Sequence, residues 1–229
     1  MLQLIKLGKI VNVNNILYCF DKNNDQKRYL VTPTDINPLK DNPIKKLHPV
    51  QRIGVVYQNR WDQNFRHFIN ETFVILSKFF KDGKFDTRLK IIIKPRCPKH
   101  NLQVLKILGL EKNIFRLKNL ELIQCRELYV SNKKINNQEN IQEFLDFFIK
   151  KCKEMSKIKF IPKMKNLYLS REKYDKHHGK HTPKRWVTNF YDIKDLIYNK
   201  FHTIETHNLN LWDQVTYLNN ADNVITLIG

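Results

Sequence analysis

A chain of 229 residues with 41% hydrophobic and 28% charged side chains can bury a core as one large domain or two small ones, which excludes a disordered class. No stretch reaches the ~18–20 consecutive apolar residues of a membrane span, and Lys6 and Lys9 interrupt the N-terminus, which does not read as a signal sequence. A formal net charge of +19 calls for an acidic partner: nucleic acid, an anionic membrane or glycan surface, or a nucleotide diphosphate; an AT-rich coding sequence is the compositional alternative. Cys19, Cys97, Cys125 and Cys152 are widely spaced and form no CxxC pair, so they read as free thiols of a reducing compartment, with disulfides left open by the even count, and a cytoplasmic location is expected.

Residues 1–47 read as a β-rich lead-in, with short strands over 10–13, 16–18 and 29–31, a turn at Asn23, Asn24 and Asp25, and an irregular connection over 33–43. Residues 48–160 read as a first Rossmann-like half. A strand over 53–57 leads to a helix with Asp62 as N-cap, whose Phe65, Phe68, Ile69, Phe73, Leu76 and Phe80 recur at helical spacing. His67 and Glu71 lie four residues apart, one above the other on a helix face, where they can reach each other or a common ligand. A strand over 89–93 and a helix over 102–108 stopped by Gly109 follow, then strands over 113–117 and 127–130 and a long amphipathic helix over 141–155, expected to bridge two halves. Cys97, Pro98, Lys99 and His100 lack a second ligand pair and read as a loop rather than a metal half-site. The Lys-rich stretch 157–165 reads as a linker.

Residues 161–229 read as a second Rossmann-like half: a strand over 167–169, a long polar loop, a helix over 191–199, a strand over 202–206, a helix over 211–220 and a strand over 224–228. The loop carries Arg171, Lys173, Lys176, Lys180, Lys184 and Arg185 with His177, His178 and His181 between them, opposed by Glu172 and Asp175. A basic loop leaving the carboxyl end of a strand is where open α/β sheets hold phosphate-bearing ligands, although a charge run alone is more often a solvated surface. Three histidines among lysines read as basic loop rather than metal site, and no Asp-x-Asp motif occurs, so no metal or other cofactor is expected.

Two segments carry a resemblance. Leu167-Tyr168-Leu169-Ser170-Arg171, the later Arg185 and Asn189, a helix carrying Gln214, and Ala221-Asp222 before the last strand resemble the carboxyl-terminal half of glycosyltransferase family 61. Asn64-Phe65-Arg66-His67-Phe68-Ile69-Asn70-Glu71 resembles the family's Asn-Phe-x-His-x-x-x-Glu signature, in the right order and about a hundred residues upstream. The resemblance covers about Arg52 to Gly229 and implies an α/β fold of the GT-B kind, two Rossmann-like halves with the second incomplete. It departs from the family in two places. Phe190 stands where an acidic residue is usual, and the chain stops at Gly229, where the family continues with a glycine loop that helps hold donor phosphates.

What this implies is an inverting transfer of a sugar from a nucleotide diphosphate sugar, UDP-linked as is usual in the family, to a glycan or protein hydroxyl. Arg171 and Arg185 would bind the departing diphosphate with Ser170 donating a hydrogen bond, and Asn189 and Asn64 would contact substrate. His67, with Glu71 or Asp62 behind it, would be the base for the acceptor hydroxyl. A truncated second half implies a second chain that completes it, or an inactive fragment that binds a glycan or partner without turnover. The competing class is a basic nucleic-acid-binding protein, with Tyr168, Tyr174 and Trp186 as stacking residues, but no helix-turn-helix, zinc-finger or RRM signature supports it.

Overall fold

The computed structural model describes residues 2–13, 16–21, 26–27, 43–56, 73–131, 141–158, 163–170 and 190–226, and the chain divides into two compact units, Met1–Phe147 and Phe148–Gly229. Both are α/β.

The first unit opens with β1 (Leu2–Lys6), β2 (Lys9–Val13), β3 (Ile16–Phe20), β4 (Gln26–Lys27) and β5 (Lys46–Leu47). Then come β6 (Gln51–Val56), α1 (Val74–Ser77), β7 (Phe80–Lys81), β8 (Lys84–Phe85), β9 (Leu89–Ile93), α2 (Lys99–Ile107), β10 (Ile114–Arg116) and β11 (Glu121–Ser131). Nine of these strands form one sheet, with β10, β9, β6 and β11 side by side and parallel. The last four residues of β6 are buried, as are Leu89, Ile91, Ile92 and Ile93 of β9, the near-continuous apolar run of a parallel strand covered on both faces. β11 changes neighbours along its length: Leu122 to Gln124 pair with β2, whereas from Cys125 onward it runs beside β6, with β1 on its other edge. The lead-in strands expected over 10–13 and 16–18 thus belong to the same sheet as the αβ half, and the one expected over 29–31 lies outside the described residues.

One expectation is corrected here. The apolar stripe read as a helix through Phe80 ends at Ser77, and Phe80 lies in a hairpin where β7 pairs β8 in the register Phe80↔Phe85 and Lys81↔Lys84. The cause is the two-residue Asp82-Gly83 loop, both members at positive φ, 51° and 74°, as a primed hairpin turn requires. Phe80 keeps its place in the core, with ring centroids 4.7 Å from Phe147 and 5.7 Å from Phe144, on α3 (Ile141–Met155).

The boundary between the units falls within α3, and Met164 and Lys165, read as linker, are the first residues of β12 (Met164–Ser170). The second unit continues with α4 (Phe190–Lys200), β13 (His202–Glu205), α5 (Leu211–Asn219) and β14 (Ala221–Thr226). Its three strands are parallel in the order β13-β12-β14. Tyr168 packs with Ile197 and Phe201 at α4, whereas Leu167 and Ile204 pack with Tyr217 of α5, so the two helices cover opposite faces. Asn210 caps α5, its side chain accepting from the Asp213 N–H at 2.9 Å, and the Ser156 hydroxyl donates to the Asp213 carboxylate. No helix among the described residues is long and apolar enough to cross a membrane.

Candidate functional site

Strand order decides where a parallel α/β sheet can receive a ligand: beyond the carboxyl ends, where the order reverses. In the second unit it reverses at β12, because the chain moves through α4 to β13 on one side and then returns through α5 to β14 on the other. Ser170 is the last residue of β12, and the basic segment 171–189 follows it in the chain. The first unit has the same feature. From β6 the chain steps to β9 and β10 on one side and comes back at β11 on the other, and segment 57–72 follows Val56, the last residue of β6.

Asp62, Asn64, His67 and Glu71 fall in the first of these segments and Arg171, Arg185 and Asn189 in the second, and all seven lie outside the described residues, as do His177, His178 and His181. Ser170 is described. Parallel pairing sets it beside Glu205, the last residue of β13, and its hydroxyl donates to Glu205 Oε1 at 2.9 Å. Ser170 is fully buried and Glu205 half-buried, so the pair closes the carboxyl edge of two adjacent strands. The turn after Glu205, Thr206–Asn208, is held from α5: Gln214 Nε2 donates to the carbonyls of Thr206 and Leu209, each at 3.0 Å. Gln214 belongs to the motif read from the sequence. Glu205 does not, since only the lateral pairing of two strands distant in the chain puts it beside Ser170.

In the first unit, β11 flanks the point of reversal, and its Tyr129 lies in register with Val55 of β6. The Tyr129 hydroxyl donates to Glu127 Oε2 at 2.8 Å, Lys78 Nζ lies 4.7 Å above the ring and Phe79 meets it edge-on at 4.9 Å. Burial, and then the Glu127 carboxylate, push the phenol up to about 12, so it remains a donor at neutral pH and fixes Glu127. The cysteines do different work. Burial raises Cys125 and Cys152 to about 12 and Cys19 further still, with Cys125 beside it, so these three are protonated packing residues rather than nucleophiles. No disulfide joins the four cysteines. Among the described residues no cluster of three or more His, Cys, Asp or Glu could hold a metal ion.

Residues 65–229, well over half of the chain and beginning inside the Asn64 to Glu71 motif, match the family model described as Glycosyltransferase 61. No curated protein gives a significant match to the chain.

Proposed function

Because the chain belongs to glycosyltransferase family 61, we propose that it moves a sugar from a nucleotide diphosphate sugar to the hydroxyl of a glycan or protein. The observation that carries the reading is the sequence position of the basic segment, directly after the central strand of a doubly wound parallel sheet, where that architecture takes phosphate-bearing ligands. We read the two units as the halves of a GT-B transferase, the first supplying the base and the second the donor.

In this reading the acceptor oxygen bonds to the anomeric carbon while the bond from that carbon to the diphosphate breaks, and the electron pair leaves on the phosphate oxygen. His67, backed by Glu71 or Asp62, takes the acceptor proton, and the attack is direct and inverting. Arg171 and Arg185 stabilise the charge gathering on the diphosphate, because a guanidinium is charged at every working pH and binds two phosphate oxygens at once. Asn64 and Asn189 position substrate. With two arginines in that role and no Asp-x-Asp motif to hold a cation, transfer is expected to proceed undiminished in EDTA, and a rate restored only by added manganese would contradict this.

Calorimetric titration with a panel of nucleoside diphosphates and their sugars tests the reading. One nucleotide should bind the native chain, and its binding should be lost in Arg171→Ala/Arg185→Ala. Binding of arbitrary RNA with a steep salt dependence, and of no nucleotide, would instead favour the nucleic-acid class that the +19 charge also fits.

A further inference from the structure

We propose that the surface of the first unit around the start of β6 docks on an anionic phospholipid membrane, with Arg52 and Arg126 binding lipid phosphates and Leu7, Leu47 and Val50 entering the boundary between headgroups and acyl chains. The inference goes beyond the transfer reading and does not depend on it. The first support is an unanswered pair of like charges. Cys125 pairs with Gln51 and Glu127 with Ile53, so Arg126 of β11 stands directly opposite Arg52 of β6. Both are exposed, and among the described residues neither makes an ion pair or a side-chain hydrogen bond. The carboxylates nearest in the sheet are engaged elsewhere: Asp86 by Arg88, Glu121 by His48 and Glu127 by the Tyr129 hydroxyl. Like charges directly opposite each other weaken a sheet, and a phosphate bound between two guanidiniums removes that penalty.

The second support is the apolar surface beside these cations. Leu47 pairs with Leu122 and Val50 precedes Gln51, so both lie along one edge of β11, while from its other edge Leu7 donates its N–H to the Arg126 carbonyl at 2.9 Å. Leu47, Val50 and Leu7 are 70%, 55% and 45% exposed. Leu7 also sits at φ +53°, in the two-residue connection between β1 and β2. That conformation is strained for leucine and ordinary for glycine or asparagine, so folding alone would not select a leucine there. Strain kept at an exposed apolar residue points to a contact outside the chain.

The third support is the kind of side chain and its place. Nucleic acid bound without sequence preference is held by cations together with aromatic faces, whereas the exposed large hydrophobics described in the first unit, Leu4, Leu7, Leu47 and Val50, are all aliphatic. Aliphatic side chains among basic ones are the composition of a surface that lies in a membrane interface. Arg52 is near the start of β6, and segment 57–72 follows its end at Val56. About 13 Å of strand separates the two, at 3.3 Å per residue, so a membrane at this surface leaves the carboxyl edge open.

The test is cosedimentation of the full chain with vesicles of phosphatidylcholine alone and of equal parts phosphatidylglycerol and phosphatidylcholine. The variants are Arg52→Gln/Arg126→Gln, Leu7→Asn/Val50→Ser and, as a control of equal charge, Lys150→Gln/Lys153→Gln, two exposed lysines of α3 in the other unit. The native protein should sediment with the phosphatidylglycerol vesicles and not with phosphatidylcholine alone. The arginine variant should bind roughly thirty-fold more weakly, about five-fold for each charge near the surface, and the lysine variant within about two-fold of native. Leu7→Asn/Val50→Ser should bind roughly ten-fold more weakly, and salt should remove what remains more readily. Thermal melting checks folding: the substituted side chains are exposed and asparagine accepts positive φ, so neither site variant should melt below the native protein. Arg52→Gln and Leu47→Ser, as single variants, carry the two arms if a double variant fails to fold. Equal losses in the arginine and lysine variants would overturn the proposal, as would unchanged binding when the apolar residues are replaced, or a native protein that binds both kinds of vesicle alike. Binding of a random RNA but of no vesicle would overturn it in favour of a nucleic-acid surface.

Discussion

Gly54 shows how closely the first sheet is packed at the strand that precedes segment 57–72. A Cβ added there would stand 2.4 Å from Cys125 Sγ on β11 and 3.1 Å from Ile92 Cδ1 on β9, both fully buried. Gly54→Ala is therefore expected to destabilise the protein by about 1–3 kcal/mol in urea unfolding, the usual range for an overpacked core. Cys125→Ala in the same chain should recover part of that loss, because the two changes meet at one contact; strict additivity would show that the cost arises elsewhere. A second residue-scale consequence concerns acid. Hydrogen bonds from the Arg88 side chain, then its backbone N–H, lower the Asp86 carboxyl from its ordinary 3.8 to about 2. A group whose folded value is depressed contributes stability that is complete above its unfolded value and lost as pH falls through the folded one. The melting-temperature gap between native protein and Asp86→Asn should thus be largest above 3.8 and close toward pH 2, by the small amount left to an ion pair that solvent screens. A gap that stays constant across that window would show that Asp86 acts by packing alone.

The β7–β8 hairpin makes the case at the scale of the element. Gly83 has φ +74°, and a Cβ added to it would meet nothing within 4 Å, so any cost of substitution is purely conformational. Gly83→Ala should lose about 1 kcal/mol and Gly83→Asn distinctly less, since asparagine tolerates that region; equal losses would place the effect in contacts instead. The same hairpin marks the limit of periodicity as a guide. Phe73, Leu76 and Phe80 satisfy a helical stripe, yet the adjacent Asp82-Gly83 is a stronger local instruction, and it ends the helix before Phe80. Where one instruction stood alone the sequence was readable: the apolar run of β9 and the amphipathic α3 were expected at the bounds they have. β11 was expected only from Glu127, because its first half owes its strand character to pairing with β2, far away in the chain. β1 was not predicted at all, for the same reason. The candidate site divides likewise. Its motifs could be read locally, whereas Glu205 acquires meaning only from the strand beside it.

For the whole molecule the question is whether a formal charge of +19 acts as a diffuse field or through placed residues. A diffuse field attracts any polyanion and fades with salt, since screening sets in over ~10 Å at 0.1 M. A placed pair of guanidiniums acts through short, directed hydrogen bonds that other lysines cannot replace. Two double variants separate these cases, because each removes the same two charges. Arg171→Ala/Arg185→Ala empties the proposed diphosphate contacts, whereas Lys106→Ala/Lys112→Ala removes exposed lysines of the first unit that belong to neither motif. The arginine variant should bind UDP at least about ten-fold more weakly, the loss expected for a bond to a charged group, and the lysine variant within about two-fold of the native protein. Affinity for a random RNA should fall by a similar, smaller factor in both, because counterion release depends on how many charges are neutralised rather than on which. If both variants lost UDP binding equally, the charge would be a property of the surface as a whole, and the sheet edge after Ser170 would have no special claim on the donor.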